Sequence, residues 1–261
     1  MKKYGLIGEK LGHSYSKIIH EHYFELSGMS DCTYDLIEIP RESLFERLEE
    51  LSGEYAGINV TIPYKTDVMQ NLTDISYEAR KIGAVNTILF SPEGKYGYNT
   101  DYFGLKYTFE NNRISIKDRN VVILGTGGAS KAALTVCVDM GASSVTFVTS
   151  GNKRVEGFKT IGYNDAISGD VLINCTPVGM YPNVGQSPIK ELDTGFSAVV
   201  DMIYNPSVTE LMKQGIQNGA LCVNGLNMLV AQGVYSEAIW NGTTVDEAVV
   251  KKIIKKMETA F

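Results

Sequence analysis

The chain has 261 residues, of which 44 % are hydrophobic and 21 % charged, with a net charge of −6 at pH 7. That balance excludes a disordered tail and a fibrous repeat, and indicates a globular protein of one large or two modest domains. Lys and Arg are scattered rather than grouped, so no phosphate-tracking surface forms and no nucleic-acid partner is expected.

In chain order, Tyr4 to Gly8 and Tyr34 to Ile39 read as short strands around a helix over Lys17 to Leu26, whose Ile18, Ile19, His22, Tyr23 and Leu26 recur at helical spacing. A helix over Glu42 to Leu51 follows, with Leu44, Phe45, Leu48 and Leu51 on one face, and then a strand over Ala56 to Ile62 bounded by Gly57 and Pro63. Residues 84–90 and 95–99 flank the turn S-P-E-G as a hairpin, so this sheet is expected to end on an antiparallel strand. After a helix over Phe103 to Glu110, a second sheet begins at Asn120 to Leu124. It continues as helix (Ser130 to Met140), strand (Ser144 to Thr149), and strands at Asp170 to Ile173, Ala198 to Asp201 and Leu221 to Val223. This alternation is that of a parallel, doubly wound sheet. Two helices, Leu226 to Trp240 and Val245 to Met257, close the chain.

The turn after the first strand of the second sheet reads L-G-T-G-G-A-S-K-A. Gly125 ends the strand, Gly127 and Gly128 let the backbone approach a pyrophosphate, and a helix N-terminus near Ala129 supplies free amides. Ser130 stands at the third glycine of the dinucleotide fingerprint. The same stretch misses the phosphate loop of nucleoside triphosphatases twice, because Ser130 replaces the glycine before Lys131 and Ala132 carries no hydroxyl for a magnesium ion. Dinucleotide binding is the better reading. At the end of the next strand no carboxylate is present for a ribose, whereas Thr149, Ser150, Asn152, Lys153 and Arg154 offer partners to an extra phosphate, which favours NADP.

Hydride removal from an alcohol leaves a proton on oxygen, so a dehydrogenase needs a base beside that hydroxyl, and a small polyol needs several short polar side chains. Candidates stand at strand ends of the first region: Ser14 and Ser16, Thr61 and Lys65 in N-V-T-I-P-Y-K, Asn86 in A-V-N-T, and Asp101 after G-Y-N-T. In a parallel sheet such carboxyl-end positions converge on one edge. Taken singly, each has an ordinary explanation as a helix cap, a turn residue or a solvated charge.

Together with G-H-S-Y-S, G-A-V-N-T, N-T-D-Y-F-G, I-N-C-T-P-V-G-M, D-M-I-Y-N-P and G-L-N-M-L-V-A-Q, these segments resemble, in order and over essentially the whole length, the shikimate dehydrogenase family. The resemblance implies an α/β protein with an N-terminal substrate domain (residues 1–101 and 226–261), an NADP-binding Rossmann domain (102–225), and C-terminal helices packing back on the first. It implies an active site in the cleft and hinge closure around it. It also implies NADP-dependent interconversion of 3-dehydroshikimate and shikimate. Lys65 and Asp101 take the positions of the catalytic pair, and substrate contacts fall on Ser14, Ser16, Thr61, Asn86, Asp101, Tyr204 and Gln232. Cofactor contacts fall on Gly125, Thr126, Gly127, Gly128, Ala129, Ile203 and Gly225, with Thr176 and Met180 on the nicotinamide side.

The chain departs from the family pattern at Lys17, at E-K-L-G before His13, and at T-S-G, which replaces N-R-T after the second Rossmann strand; residues 150–170 are also short for a full crossover helix. Three states of Lys65 stay open. It is a neutral base, or shares a proton with Asp101, or is a cation that polarises the carbonyl. Two alternatives also stand, a quinate/shikimate dehydrogenase using NAD and a non-catalytic dinucleotide-binding regulator.

His20 and His22 lie two apart on one helix and cannot form an i, i+4 metal pair, His13 is expected to shape the substrate loop, and no metal is expected. Cys32, Cys137, Cys175 and Cys222 form no C-x-x-C pair, which argues against zinc and disulfides and for a reducing, cytoplasmic setting. Glu9 and Lys10 interrupt the N-terminal apolar run too early for a signal sequence, and no run of about eighteen apolar residues suggests a spanning helix. The assembly is expected to be a monomer or a homodimer.

Overall fold

The apolar run that opens the chain forms β1 (Lys2–Gly8) in the computed structural model, which describes residues 1–12, 14–151 and 153–260. The expectations for His13 and Asn152 lie outside the described residues. Contacts divide the chain into two units, Met1–Phe103 with Val230–Met257, and Gly104–Leu229 with the terminal turn from Glu258.

In the first unit α1 (Ser16–Ser27) ends where Gly28 takes a φ of 68°, a left-handed turn that a side chain would resist. The chain then returns as β2 (Cys32–Glu38), parallel to β1 along its whole length from Lys2↔Cys32 to Gly8↔Glu38. Helix α2 (Leu44–Glu54) buries Leu44, Leu48 and Leu51, one face at helical spacing, and β3 (Gly57–Val60) pairs parallel with β1 on its other side. Next come β4 (Asp74–Ile75), α3 (Tyr77–Ile82) and the antiparallel hairpin of β5 (Thr87–Ser91) and β6 (Gly94–Tyr98). The sheet order is β2-β1-β3-β5-β6-β4. The expectation that the antiparallel strand closes the sheet is thus corrected, because β4 pairs parallel with the outer side of β6. Two residues are too few to leave a periodicity in the sequence.

Helix α4 (Thr100–Asn111) leads into the second unit, where β7 (Asn120–Leu124), α5 (Gly128–Asp139), β8 (Ser144–Thr149), β9 (Lys159–Gly162), β10 (Val171–Asn174), β11 (Ala198–Asp201), α6 (Glu210–Gln217) and β12 (Leu221–Val223) follow. All pairings are parallel in the order β9-β8-β7-β10-β11-β12. This is the six-strand order of a dinucleotide-binding Rossmann sheet, whose strand order reverses between β7 and β10. Among the described residues between β8 and β9 there is no helix, as the shortness of the segment requires. Strand β9 and helix α6, like α3, go beyond the elements expected from the sequence.

Helix α7 (Leu226–Asn241) returns to the first unit, and α8 (Glu247–Met257) packs on α1 there. Side-chain alternation along β1 feeds two cores, with Ile7 among Leu48, Ile58 and Val68 on one face and Tyr4 and Leu6 among Phe24, Tyr34 and Trp240 on the other. Trp240 stacks on Tyr4 at 4.8 Å, donates its indole N–H to the Ile88 carbonyl at 2.9 Å, and lies so close over β3 that a Cβ at Gly57 would overlap its ring.

Candidate active site

Strand β3 ends at Val60, and the chain is then held at each step. The Thr61 amide donates to the Ile7 carbonyl at 3.0 Å, and the Tyr64 amide to the Thr61 carbonyl at 3.0 Å. The buried Tyr64 hydroxyl donates to the Ile39 carbonyl at 2.5 Å, and the Lys65 carbonyl accepts from the Val85 amide at 2.7 Å. With its backbone tied to both neighbours, Lys65 projects its ammonium onto Asp101 Oδ2 at 2.6 Å; the two side chains are 27 % and 19 % exposed.

Asp101 stands in the first turn of α4, where the helix dipole favours a carboxylate. Asn86 orients it. The Asn86 side-chain carbonyl accepts from the Thr100 amide at 2.6 Å, capping the helix, while its Nδ2 donates to Asp101 Oδ1 at 3.0 Å. Both oxygens of the carboxylate therefore have fixed donors, and Lys65, Asn86 and Asp101, far apart in sequence, form one cluster.

Ser14 and Ser16 make the turn into α1: the Ser14 amide donates to the Leu11 carbonyl at 2.9 Å, and the Ser16 amide to Ser14 Oγ at 3.3 Å. The Ser16 hydroxyl also reaches the phenol of Tyr34. Burial pushes that phenol well above its usual pKa, the Glu237 carboxylate adds to the rise, and Ser16 opposes it. Gln232 sits on α7, its carbonyl accepting from Ser236 Oγ at 3.0 Å. Thr61, as above, follows β3.

In the second unit Gly125 has a φ of 93°, and a Cβ there would press on the Thr176 methyl at 3.0 Å, so the turn crosses tightly at the reversal point between β7 and β10. Gly127 caps α5 without a side-chain partner, and a Cβ on Gly127 or Gly128 would meet nothing within 4 Å. The space beside these glycines, flanked by Thr126 and Ala129, is therefore open, which suits a pyrophosphate at the helix N-terminus. Ser130, in the third glycine's place, is buried and donates to the Gly127 carbonyl at 2.7 Å, so the fingerprint departure is absorbed by tightening the turn.

Beside this turn a cavity of about 330 Å³ is lined by Thr126, Ser130, Lys131, Lys153, Arg154 and Glu156, among others. Lys153 was expected there; Lys131 was not, because only the helix places it one turn below the glycines. Arg154 is partly spent, donating to the Thr160 carbonyl at 2.5 Å. Thr149 is buried at the end of β8 and Ser150 is exposed just beyond.

Thr176 donates both its amide and its hydroxyl to Asn174 Oδ1, at 3.0 and 2.7 Å, and Met180 is exposed in the loop beyond. The Ile203 amide donates to Asp201 Oδ1 at 3.1 Å, the Gly225 amide to the Ile203 carbonyl at 3.0 Å, and Tyr204 follows Ile203. At Gly225 any Cβ would overlap the Met202 carbonyl.

Asp201, the first residue of D-M-I-Y-N-P, is given no role of its own by the sequence. It is fully buried, which raises its carboxyl pKa. Bonds from Thr209, the Ile203 amide and Asn174 pull the pKa back and tie β10, β11 and α6 together. Of the expected residues, Lys65, Asn86 and Asp101 are brought together in the first unit, while Tyr204, expected on the substrate, lies in the second unit with the cofactor candidates.

Residues 6–88 match the family model described as the shikimate dehydrogenase substrate binding domain, and residues 225–255 that of the shikimate 5'-dehydrogenase C-terminal domain. The shikimate dehydrogenase (NADP(+)) of Clostridium beijerinckii is 41 % identical over 271 residues, spanning 100 % of both chains. A chorismate mutase/shikimate 5-dehydrogenase fusion protein from Clostridium acetobutylicum superposes with a TM-score of 0.94 at 45 % identity, covering 100 % of this chain and 98 % of that one. Shikimate 5-dehydrogenase from Thermus thermophilus, solved with NADP(H) and shikimate, gives 0.88 at 27 % identity, covering 98 % and 99 %.

Proposed function

Because the chain belongs to the shikimate dehydrogenase family, we propose that it catalyses the reversible, NADP-dependent reduction of 3-dehydroshikimate to shikimate, in the route to chorismate and the aromatic amino acids. The observation that carries this reading is the Lys65–Asp101 pair at 2.6 Å with Asn86 on the second carboxylate oxygen. A solvated lysine would need no such cradle.

When bound, the nicotinamide exchanges a hydride with the carbinol carbon. The residues of the chain handle the proton. In the reductive direction Lys65 Nζ gives its proton to the oxygen that gains charge as hydride arrives at the carbon, and in the oxidative direction it takes that proton back. Asp101 holds the ammonium by a charge-assisted bond and keeps the nitrogen in one place through both half-cycles. Ser14, Ser16, Thr61, Asn86, Tyr204 and Gln232 are assigned to the ring hydroxyls and carboxylate of the substrate, which short polar side chains can recognise one by one. Of these, Tyr204 lies in the second unit and the others in the first. The dinucleotide is assigned to residues of the second unit, with Gly125 to Ala129 on the pyrophosphate, Thr149, Ser150 and Lys153 toward the 2'-phosphate, Thr176 and Met180 on the nicotinamide side, and Ile203 and Gly225 as further cofactor contacts.

Four free cysteines suit a reducing, cytoplasmic setting. Among the described residues no helix is long and apolar enough to cross a membrane. The assembly is assigned as monomer or homodimer, which sedimentation distinguishes.

Initial rates with shikimate and with quinate, each with NADP and with NAD, test the assignment. Fastest turnover of shikimate with NADP is expected. Preference for quinate with NAD would move the activity to the sister enzyme, and no nicotinamide reduction with any pair would remove the catalytic role.

A further inference from the structure

We propose that Asn59 and Thr87 are positioning residues that fix the orientation of the Lys65–Asp101 pair through Asn86. The proposal rests on the dehydrogenase assignment above and concerns side chains outside the assigned substrate contacts.

Asn59 is buried at the centre of the first sheet, on β3 opposite Thr87 of β5. Its Oδ1 accepts from the Tyr34 hydroxyl at 2.8 Å, so its Nδ2 must point the other way, where its two hydrogens are shared among Ser236 Oγ at 2.8 Å, Thr87 Oγ1 at 3.0 Å and the main-chain carbonyl of Asn86 at 3.2 Å. A hydroxyl that accepts from an amide sends its own proton elsewhere. Ser236 donates to the Gln232 carbonyl at 3.0 Å, and Thr87 donates to Asn86 Oδ1 at 3.1 Å. Asn86 Oδ1 is then fixed as the acceptor end, already held by the Thr100 amide, and Nδ2 is left to face Asp101 Oδ1.

Every bond in the series runs the same way: Tyr34 to Asn59, Asn59 to Thr87, Thr87 to Asn86, Asn86 to Asp101. Bonds aligned in this way polarise one another. Reversing the Asn86 amide would set its oxygen against the carboxylate and release Asp101 from the position that holds Lys65. The series starts on a rigid base, because the Tyr34 ring stacks on His20 at 4.0 Å and His20 Nδ1 is 2.6 Å from Glu237 Oε1, all three buried.

The test is a coupled substitution. Thr87→Val keeps the shape and removes both the acceptor for Asn59 and the donor to Asn86. It is expected to lower kcat for shikimate oxidation roughly ten-fold, as loss of a supporting hydrogen bond does at comparable sites. In an Asn86→Ala background the same substitution is expected to change kcat less than about two-fold, because its effect passes through the missing amide. Asn59→Asp, which reverses the donor, is expected to match Thr87→Val.

A second readout needs no turnover: the side-chain amide resonances of Asn86 in a ¹⁵N-labelled protein are expected to shift in Thr87→Val. If Thr87→Val does not fold, Asn59→Asp, which reverses the donor to Thr87 and leaves Thr87 in place, carries the same expectations. An equal loss of kcat with and without Asn86, or a lowered Tm with unchanged kcat and unchanged Asn86 resonances, overturns the proposal. A wild-type protein inactive on shikimate overturns the enzyme assignment instead, and leaves the resonance shift to decide the positioning role.

Discussion

Lys65 Nζ lies 2.6 Å from Asp101 Oδ2, although 36 residues separate the two side chains in the sequence. Both keep a minority of their surface open, so the ammonium is confined yet reachable by a small molecule. Lys65→Ala removes the proton carrier and leaves the surrounding polar groups in place. It is expected to lower kcat by roughly 10²–10⁴ with little change in KM for shikimate, measured as initial rates of NADPH formation. A rise in KM with kcat intact would reduce Lys65 to a binding residue.

How the sequence exposed this site, and where it fell silent, follows from what each residue type signals. N-V-T-I-P-Y-K was legible because it occurs in order with the other matching segments; taken alone, Lys65 has an ordinary explanation as a solvated charge. Nothing in the letters gives a role to Ser236 or to Thr87, the last residue of A-V-N-T, whose hydroxyls matter only because β5 and α7 bring them within 2.9 Å of each other. Asp201 was hidden for the same reason, since its partners Asn174 and Thr209 meet it only once β10, β11 and α6 are assembled. The parallel, doubly wound sheet was legible because strands such as β7 and β10 are continuous apolar runs, a mark of sheets buried on both faces, while β9, and β4 of the first sheet, are too polar or too short to leave one. In the letters Lys131 belongs only to a phosphate-loop near miss, since its reach toward Lys153 is a property of the helix and not of the spacing.

The contact between Gly57 and Trp240 sets a packing test. Gly57→Ala would drive a methyl into the indole ring and disturb its bond to the Ile88 carbonyl. Overpacking of this kind costs about 1–3 kcal/mol, and each kcal/mol lowers the midpoint by about 2–4 °C in a chain of this size. Circular dichroism melting is expected to show the drop, and an unchanged Tm would mean that the indole does not lie over β3.

All four thiols are predicted to be sluggish nucleophiles in the folded protein. Burial pushes Cys137 up to about 12 and Cys222 to about 11, and it raises Cys32 and Cys175 as well. At pH 8 the thiolate, which is the reactive form, is therefore scarce at each site. Alkylation by iodoacetamide, followed by mass spectrometry, is expected to run on the order of a hundred-fold slower at Cys137 and Cys222 in native than in urea-unfolded protein, and slower at Cys32 and Cys175 as well. A cysteine labelled at its unfolded rate under native conditions would contradict the burial of that thiol.

The cavity beside the glycine turn sets the choice between the two nicotinamide dinucleotides. Lys131 and Lys153 share its wall with Thr126, and Glu156 stands on the same wall where it would repel a phosphate, so the two ammonium groups must outweigh one carboxylate. An exposed charge-assisted contact contributes about 1 kcal/mol, which is roughly a five-fold change in affinity. Lys131→Ala and Lys153→Ala are each expected to weaken NADP binding by about that factor in calorimetric titration and to leave NAD binding unchanged, with the NADP loss shrinking as salt is raised. Equal weakening of NAD would place the two lysines on the pyrophosphate that both dinucleotides share. Unchanged NADP binding in both variants would remove this cavity as the seat of the 2'-phosphate and return the choice to Thr149 and Ser150 at the end of β8.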